Sequence, residues 1–313
     1  MRSVERLCIG CGICVVWRIG GQKSHPEFHR VRGECIAYGK VRGMMQQGRL
    51  IARAMMAFGP KRSSRHPIVL VINLGLLDMK TMKVEILSLL LIPGFMLDAD
   101  LWRDVEPSLA EFGPTIHADV SQDRTISEMA DRALSSVSSQ FVLVGFSMGG
   151  YVAREIVRQA PDRVSALILI ATSARGDSNV QLQRKAAIAT QEDTSFKSLS
   201  TSAVISALHP SNAGRSDLIE RIQDMGHRLG GDVFRRQSLL ERSDERDYLG
   251  AIKTPTLVIA GEQDRLRSRT ELLELHHGIA GSVFETVENT GHMIPLEEPQ
   301  RLAEIMVNWL RHL

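Results

Sequence analysis

Cysteine is scarce and unevenly placed. Of 313 residues only Cys8, Cys11, Cys14 and Cys35 are cysteine, so no disulfide can form within the chain after residue 35. That part fits a reducing cytosol. Long apolar runs are also lacking. Ile68 to Leu77 reaches about half the length of a membrane-spanning helix, and no transmembrane helix is expected. Cys11 to Trp17 is short and leads into no small-residue cleavage site, so no secretory signal is read. No H-E-x-x-H occurs after residue 80 and no G-x-G-x-x-G follows a strand pattern. Neither a metal nor a dinucleotide cofactor is expected. Internal repeats and low-complexity tracts are absent as well.

The formal net charge of +2 hides an asymmetry. Residues 1–80 carry 14 Lys+Arg against 4 Asp+Glu, and residues 81–313 carry 24 against 32. The first part shows no sustained hydrophobic period and reads as a basic, unstructured extension. Cys8, Cys11 and Cys14 have the C-x₂-C-x₂-C spacing of an iron–sulfur run, but Arg18 stands where the fourth ligand belongs and only distant Cys35 remains. The acidic remainder does not read as a nucleic-acid binder. A hydrophobic fraction of 43 % supplies a sizeable core.

From residue 81 the pattern becomes regular. Ile86 to Ile92 is an apolar run of strand length, stopped by Pro93-Gly94. Asp98 to Phe112 predicts a helix, Pro114 to Val120 a strand, and Thr125 to Val137 a helix with Thr125 and Glu128 at capping-box spacing. The strand Phe141 to Phe146 runs into Gly145-Phe146-Ser147-Met148-Gly149-Gly150 and then a helix to Ala160. Val164 to Ala171, Thr254 to Ala260 and Ser282 to Val287 predict further strands, and Pro295 to Leu313 a closing amphipathic helix. The polar stretch of about residues 176–249 predicts a helical cap inserted between two strands, with helices over Asp217 to Leu229 and Asp232 to Arg242. Alternating strands and helices imply an α/β fold with a mostly parallel sheet of about six strands, covered on both faces.

Strand, sharp turn and helix around Gly-x-Ser-x-Gly form the context of a nucleophile elbow. A serine hydroxyl barely ionises at neutral pH, so Ser147 needs a base and the base an orienter. His292, in Gly291-His292 between the last strand and the last helix, is the candidate base. The other nine histidines fall in the extension, a strand, the cap, a solvated helix end or the terminus. Asp264, just past the strand ending at Ala260, is the candidate orienter, with Glu262 and Asp177 as alternatives.

Leu91-Ile92-Pro93-Gly94-Phe95, Gly145 to Gly150, Gly261-Glu262-Gln263-Asp264 and Gly291-His292 together give residues 83–313 a resemblance to the α/β-hydrolase fold superfamily, and to its small esterase-like members. The resemblance implies an oxyanion hole formed by the backbone N–H groups of Phe95 and Met148. It also implies a serine hydrolase working through an acyl-enzyme, most simply on a carboxylic ester of small or medium size. Pro93 stands where many members have histidine, and no leading antiparallel strand pair is recognisable. Cleavage of a C–C bond, lactone or amide, cofactor-free peroxidation, and ligand binding without turnover are the other readings the scaffold allows. Arg235, Arg236, Arg242 and Arg246 of the cap read either as contacts for an acidic substrate group or as a solvated face balanced by Glu241, Asp244 and Glu245. Asp98 and Trp102 read as entrance residues, or as a helix cap and a core anchor.

Overall fold

The computed structural model describes residues 87–190 and 196–313. The expectations for residues 1–80 and for the four cysteines lie outside them. Residues Leu87–Leu109 and Gly113–Leu313 form one compact unit.

Six strands build its sheet: β1 (Ser88–Ile92), β2 (Thr115–His117), β3 (Phe141–Phe146), β4 (Val164–Ile170), β5 (Thr256–Gly261) and β6 (Val283–Val287). Their order is β6-β5-β4-β3-β1-β2, and every neighbouring pair is parallel. A strand buried on both faces needs no alternation, which is why Leu89-Leu90-Leu91-Ile92 reads as one apolar run; all four are fully buried. Each such side chain removed from water stabilises the fold by about 1.5–3 kcal/mol.

The helices are α1 (Glu106–Leu109), α2 (Ile126–Ser135), α3 (Met148–Gln159), α4 (Asn179–Thr190), α5 (Thr201–Ala207), α6 (Ser216–Ser238), α7 (Arg269–Gly278), α8 (Ile294–Glu297) and α9 (Pro299–Leu310). The capping box of Thr125 and Glu128 forms as expected. A second, Ser268 with Glu271, starts α7. Three expectations need correction. The single helix over Asp98 to Phe112 is two short pieces, a 3-10 turn at Ala99–Trp102 and α1. Asp98 caps the first by accepting from the Asp100 amide at 3.0 Å, and Pro107, without an N–H, cannot carry that turn onward. The closing helix is likewise divided into α8 and α9, because Glu298 precedes Pro299 and is pushed out of helical backbone, to φ −137° and ψ 60°. The two predicted cap helices are continuous in α6 except at Gly230, whose φ of 78° bends the chain between them.

The cap, α4 to α6, is fastened to the sheet domain largely by charge. Arg228 pairs with Asp98 at 2.7 Å, the Arg221 guanidinium donates to the Asp100 carbonyl at 2.6 Å, and Arg154 pairs with Glu245 at 2.6 Å. One apolar ladder joins them: Phe196 stacks on Phe234 of α6 at 4.4 Å, and Phe234 meets Phe95 edge-on at 5.7 Å. Among the described residues no helix is long and apolar enough to cross a membrane.

Candidate active site

The chain leaves β1 toward β2 at one edge and returns on the other side of β1 to form β3. The strand order therefore reverses between β1 and β3, and a crevice opens beyond their carboxyl ends. Ser147 follows β3 and Phe95 follows β1, so sheet topology alone brings these two segments together.

Ser147 sits at φ 51° and ψ −111°. A non-glycine residue held there costs about 1–3 kcal/mol, and the surroundings must hold it in place. They do so with three bonds. Its amide donates to the Ile170 carbonyl at 2.9 Å, and its carbonyl accepts from the Thr172 hydroxyl at 2.7 Å and from the Gly150 amide at 3.0 Å. The turn also needs missing side chains. A Cβ on Gly145 would lie 2.6 Å from the Gly149 carbonyl, and one on Gly149 would strike the carbonyl of Ile92.

The Ser147 Oγ lies 2.9 Å from His292 Nε2, and His292 Nδ1 lies 2.8 Å from Asp264 Oδ2. With Nδ1–H donating to the carboxylate, Nε2 is left to accept the serine proton. The other oxygen of Asp264 accepts from the amides of Leu266 and Arg267 at 2.8 and 2.9 Å, which fixes the carboxylate plane. Asp264's side chain is almost wholly buried, and Ser147 and His292 are 8 % and 5 % exposed. The structure thus brings together Ser147, His292 and Asp264. It does not bring the two alternatives in. Glu262 is exposed and accepts from the Asn289 amide, and Asp177 is tied to Lys185 and Arg242.

Phe95 and Met148 both line the cavity above Ser147. Met148 is the first residue of α3, so its amide has no partner within the helix and stands at the positive helix end. Asp98 is the helix cap and Trp102 is fully buried edge-on to Phe146 at 6.5 Å, so neither is an entrance residue by itself.

Two residues at the site escape a reading of the sequence. Gln237 of α6, 3 % exposed, accepts from the Met96 amide at 2.8 Å and donates to the Val120 carbonyl at 3.1 Å. Met96 has φ 53°, so a cap side chain holds the strained loop after Phe95. Gln237 lies in the polar run Arg235-Arg236-Gln237-Ser238, which gives no signal of burial. Glu297, 8 % exposed, accepts from the Gly291 amide at 2.9 Å, the His209 amide at 2.6 Å and the Asn212 side chain at 2.9 Å. It ties the His292 loop to the cap. The His292 amide adds a bond to the Ala207 carbonyl at 2.7 Å, and the His292 ring packs on Phe146 at 5.2 Å. A charged residue five positions after the candidate base, at the end of the short apolar run Met293 to Leu296, is the only hint the sequence offers for Glu297.

The cavity holds about 580 Å³. Part of its wall is apolar, with Phe95, Leu97, Val204 and Ile222, and part is basic. Asp177 stands behind that basic wall. Burial alone would raise its carboxyl, but Lys185 and the amide and guanidinium of Arg242 hold it below its ordinary value of 3.8. Among the described residues no group of three His, Cys, Asp or Glu is placed to hold a metal ion.

A parallel sheet with a strained serine at a strand-to-helix turn, under a helical cap, defines a hydrolase of the α/β class. The sequence profile of the alpha/beta hydrolase family matches residues 89–305, and the chain belongs to that family. Monoacylglycerol lipase ABHD6 of Mus musculus is 24 % identical over 264 residues, covering 71 % of this chain and 75 % of that protein. A thermophilic esterase from Thermogutta terrifontis superposes with a TM-score of 0.63 at 28 % identity, covering 72 % of this chain and 90 % of the other. An enol-lactonase from Burkholderia xenovorans has the same fold, with a TM-score of 0.63, 19 % identity, and coverage of 72 % and 90 %.

Proposed function

We propose that this α/β hydrolase is a serine esterase that cleaves carboxylic esters of small or medium size through an acyl-enzyme. The observation that carries the reading is the pair of in-line hydrogen bonds, 2.9 Å from Ser147 to His292 and 2.8 Å from His292 to Asp264. In this reading His292 Nε2 takes the Ser147 proton as Oγ attacks the ester carbonyl. The amides of Phe95 and Met148 receive the oxyanion; one such donor contributes about 2.7–4 kcal/mol in other acyl-transfer enzymes. His292 then protonates the departing alcohol, and water, deprotonated by the same imidazole, releases the acid. Asp264 holds the imidazole tautomer and stabilises the imidazolium. Similarity to enzymes named as lipase, esterase and carbamate hydrolase supports hydrolysis at a carbonyl.

The test is a panel of p-nitrophenyl esters of rising chain length, with wild type and Ser147→Ala, alongside labelling by a fluorophosphonate. Turnover and labelling that both vanish in Ser147→Ala are the expected result. An unlabelled wild-type Ser147 overturns the mechanism. Labelling without ester turnover moves the reading to a lactone, amide or C–C bond cleaved by the same serine.

A further inference from the structure

The basic wall of the cavity has a use that ester hydrolysis alone does not require. Arg184, Lys185, Arg242, Arg265 and Arg267 line it, and no aspartate or glutamate does among the described residues. Two carboxylates stand behind these cations. Asp177 pairs with Lys185 and lies 3.2 Å from Arg242 Nε, and Glu271 lies 3.6 Å from Arg267. With the Asp264 carboxylate, which accepts from the Arg267 amide and precedes Arg265, five cations stand against three carboxylates among the described residues, and two positive charges are in excess. Arg184 and Arg265 have no hydrogen-bond or ion-pair partner among the described residues. Arg242 Nε is buried and lacks a hydrogen bond despite its nearness to Asp177. Excess charge beside a cavity attracts an anion, and a guanidinium with free N–H groups binds a carboxylate through paired hydrogen bonds.

Tyr151 places this wall relative to the nucleophile. It stands one helical turn after Ser147 on α3 and lines the same cavity. The guanidinium carbons of Arg242 and Arg267 lie 5.8 and 5.9 Å from its ring centroid. Tyr151, Ser147, Arg242 and Arg267 thus share one cavity, and Arg267 is joined to the site a second time, its amide donating to the Asp264 carboxylate at 2.9 Å. Phe95, Leu97 and Val204 line the same cavity.

We infer that the substrate is an ester with an apolar chain ending in a carboxylate, which the basic wall binds while Ser147 attacks the other end. This rests on the esterase reading above. A straight acyl chain fits the apolar lining, and its terminal carboxylate takes charge-assisted hydrogen bonds of about 2.8 Å from the guanidinium groups. Arg184 and Arg265 are the specificity-determining pair, because the other three cations already face a carboxylate.

The experiment compares the mono-p-nitrophenyl ester of adipic acid with p-nitrophenyl hexanoate, which has the same chain length and no charge. The expected result is a kcat/KM at least tenfold higher for the adipate ester, carried mainly by KM. That ratio falls toward one in the double variant Arg184→Gln, Arg265→Gln, and also when salt rises from about 50 mM to about 500 mM. A second measurement avoids turnover: adipate raises the melting temperature of wild type more than hexanoate does, and the double variant loses the difference. Hexanoate turnover with Ser147 labelled, but a ratio at or below one, overturns this inference and leaves the esterase standing. A ratio the double variant does not change overturns the assignment to Arg184 and Arg265. Absence of turnover together with absence of labelling overturns both readings.

Discussion

The sheet domain and the cap are stabilised by different physics. In the sheet domain the central strands are fully buried on both faces, and their stability comes from apolar area and dense packing. The cap is amphipathic and polar, and ion pairs and single side-chain bonds hold it over the site. The sheet sets where the candidate nucleophile, base and orienter stand, because each lies in a loop directly beyond a strand end. The cap adds Arg184 and Lys185 to the cavity's basic lining, while the loop after β5 adds Arg265 and Arg267, and through Gln237 and Glu297 the cap also holds the loops that carry Phe95 and His292. The two kinds of structure are joined at a few polar contacts.

Substitutions can break or sharpen that division, in order of expected size. Ser147→Ala should lower kcat/KM by about 10⁴-fold or more with an almost unchanged melting temperature, since the loss is chemical. A melting temperature that collapses with activity would mean the elbow serine is structural. Leu90→Ala empties a fully buried position in β1 and should cost about 2–5 kcal/mol in a denaturant titration, unfolding sheet and cap together. Gln237→Leu leaves the Met96 amide and the Val120 carbonyl without partners. Each buried unmet group costs about 1–3 kcal/mol, and the effect should appear as a fall in kcat of about 10- to 100-fold with KM little changed. A pure KM effect would make Gln237 a cavity-wall residue only.

Acid should loosen the segment that Asp177 ties to Lys185 and Arg242. The Asp177 carboxyl is held below 3.8 when folded, so its contribution is present above that value and is lost as pH falls through the lowered one. Wild type should lose more melting temperature between about pH 5 and pH 2 than Asp177→Asn does, and equal slopes would show that the pairing contributes nothing. Arg246→Ala marks the small end. Arg246 is half exposed and pairs locally with Asp244, whose carboxyl that hydrogen bond holds down at about 2. Its loss should leave the melting temperature almost unchanged.

Of the four cap arginines read from the sequence as contacts for an acidic group, only Arg242 lines the cavity. Arg235 donates to the Ile188 and Ala189 carbonyls, Arg236 to Ser121 and Arg246 to Asp244. Arg184 and Arg265, which line the basic wall, carried no sequence signal. Charge on a polar helix looks the same whether it faces solvent or a cavity, and only the packing of the cap distinguishes the two.

The sequence alone determined the sheet and the loops around it. Strands buried on both faces must be continuous apolar runs, and a serine turn this tight must have glycine at positions 145 and 149. The proposed roles of Ser147, Asp264 and His292 were legible for the same reason, since strand ends and their order are local properties of the chain. Tertiary structure decided that Asp264 rather than Glu262 or Asp177 meets His292. It also decided that Gln237 and Glu297 hold the flanking loops, and which cations face the cavity. Those facts depend on residues up to 141 positions apart in the chain, as Met96 and Gln237 are, and no periodicity or spacing records such a contact.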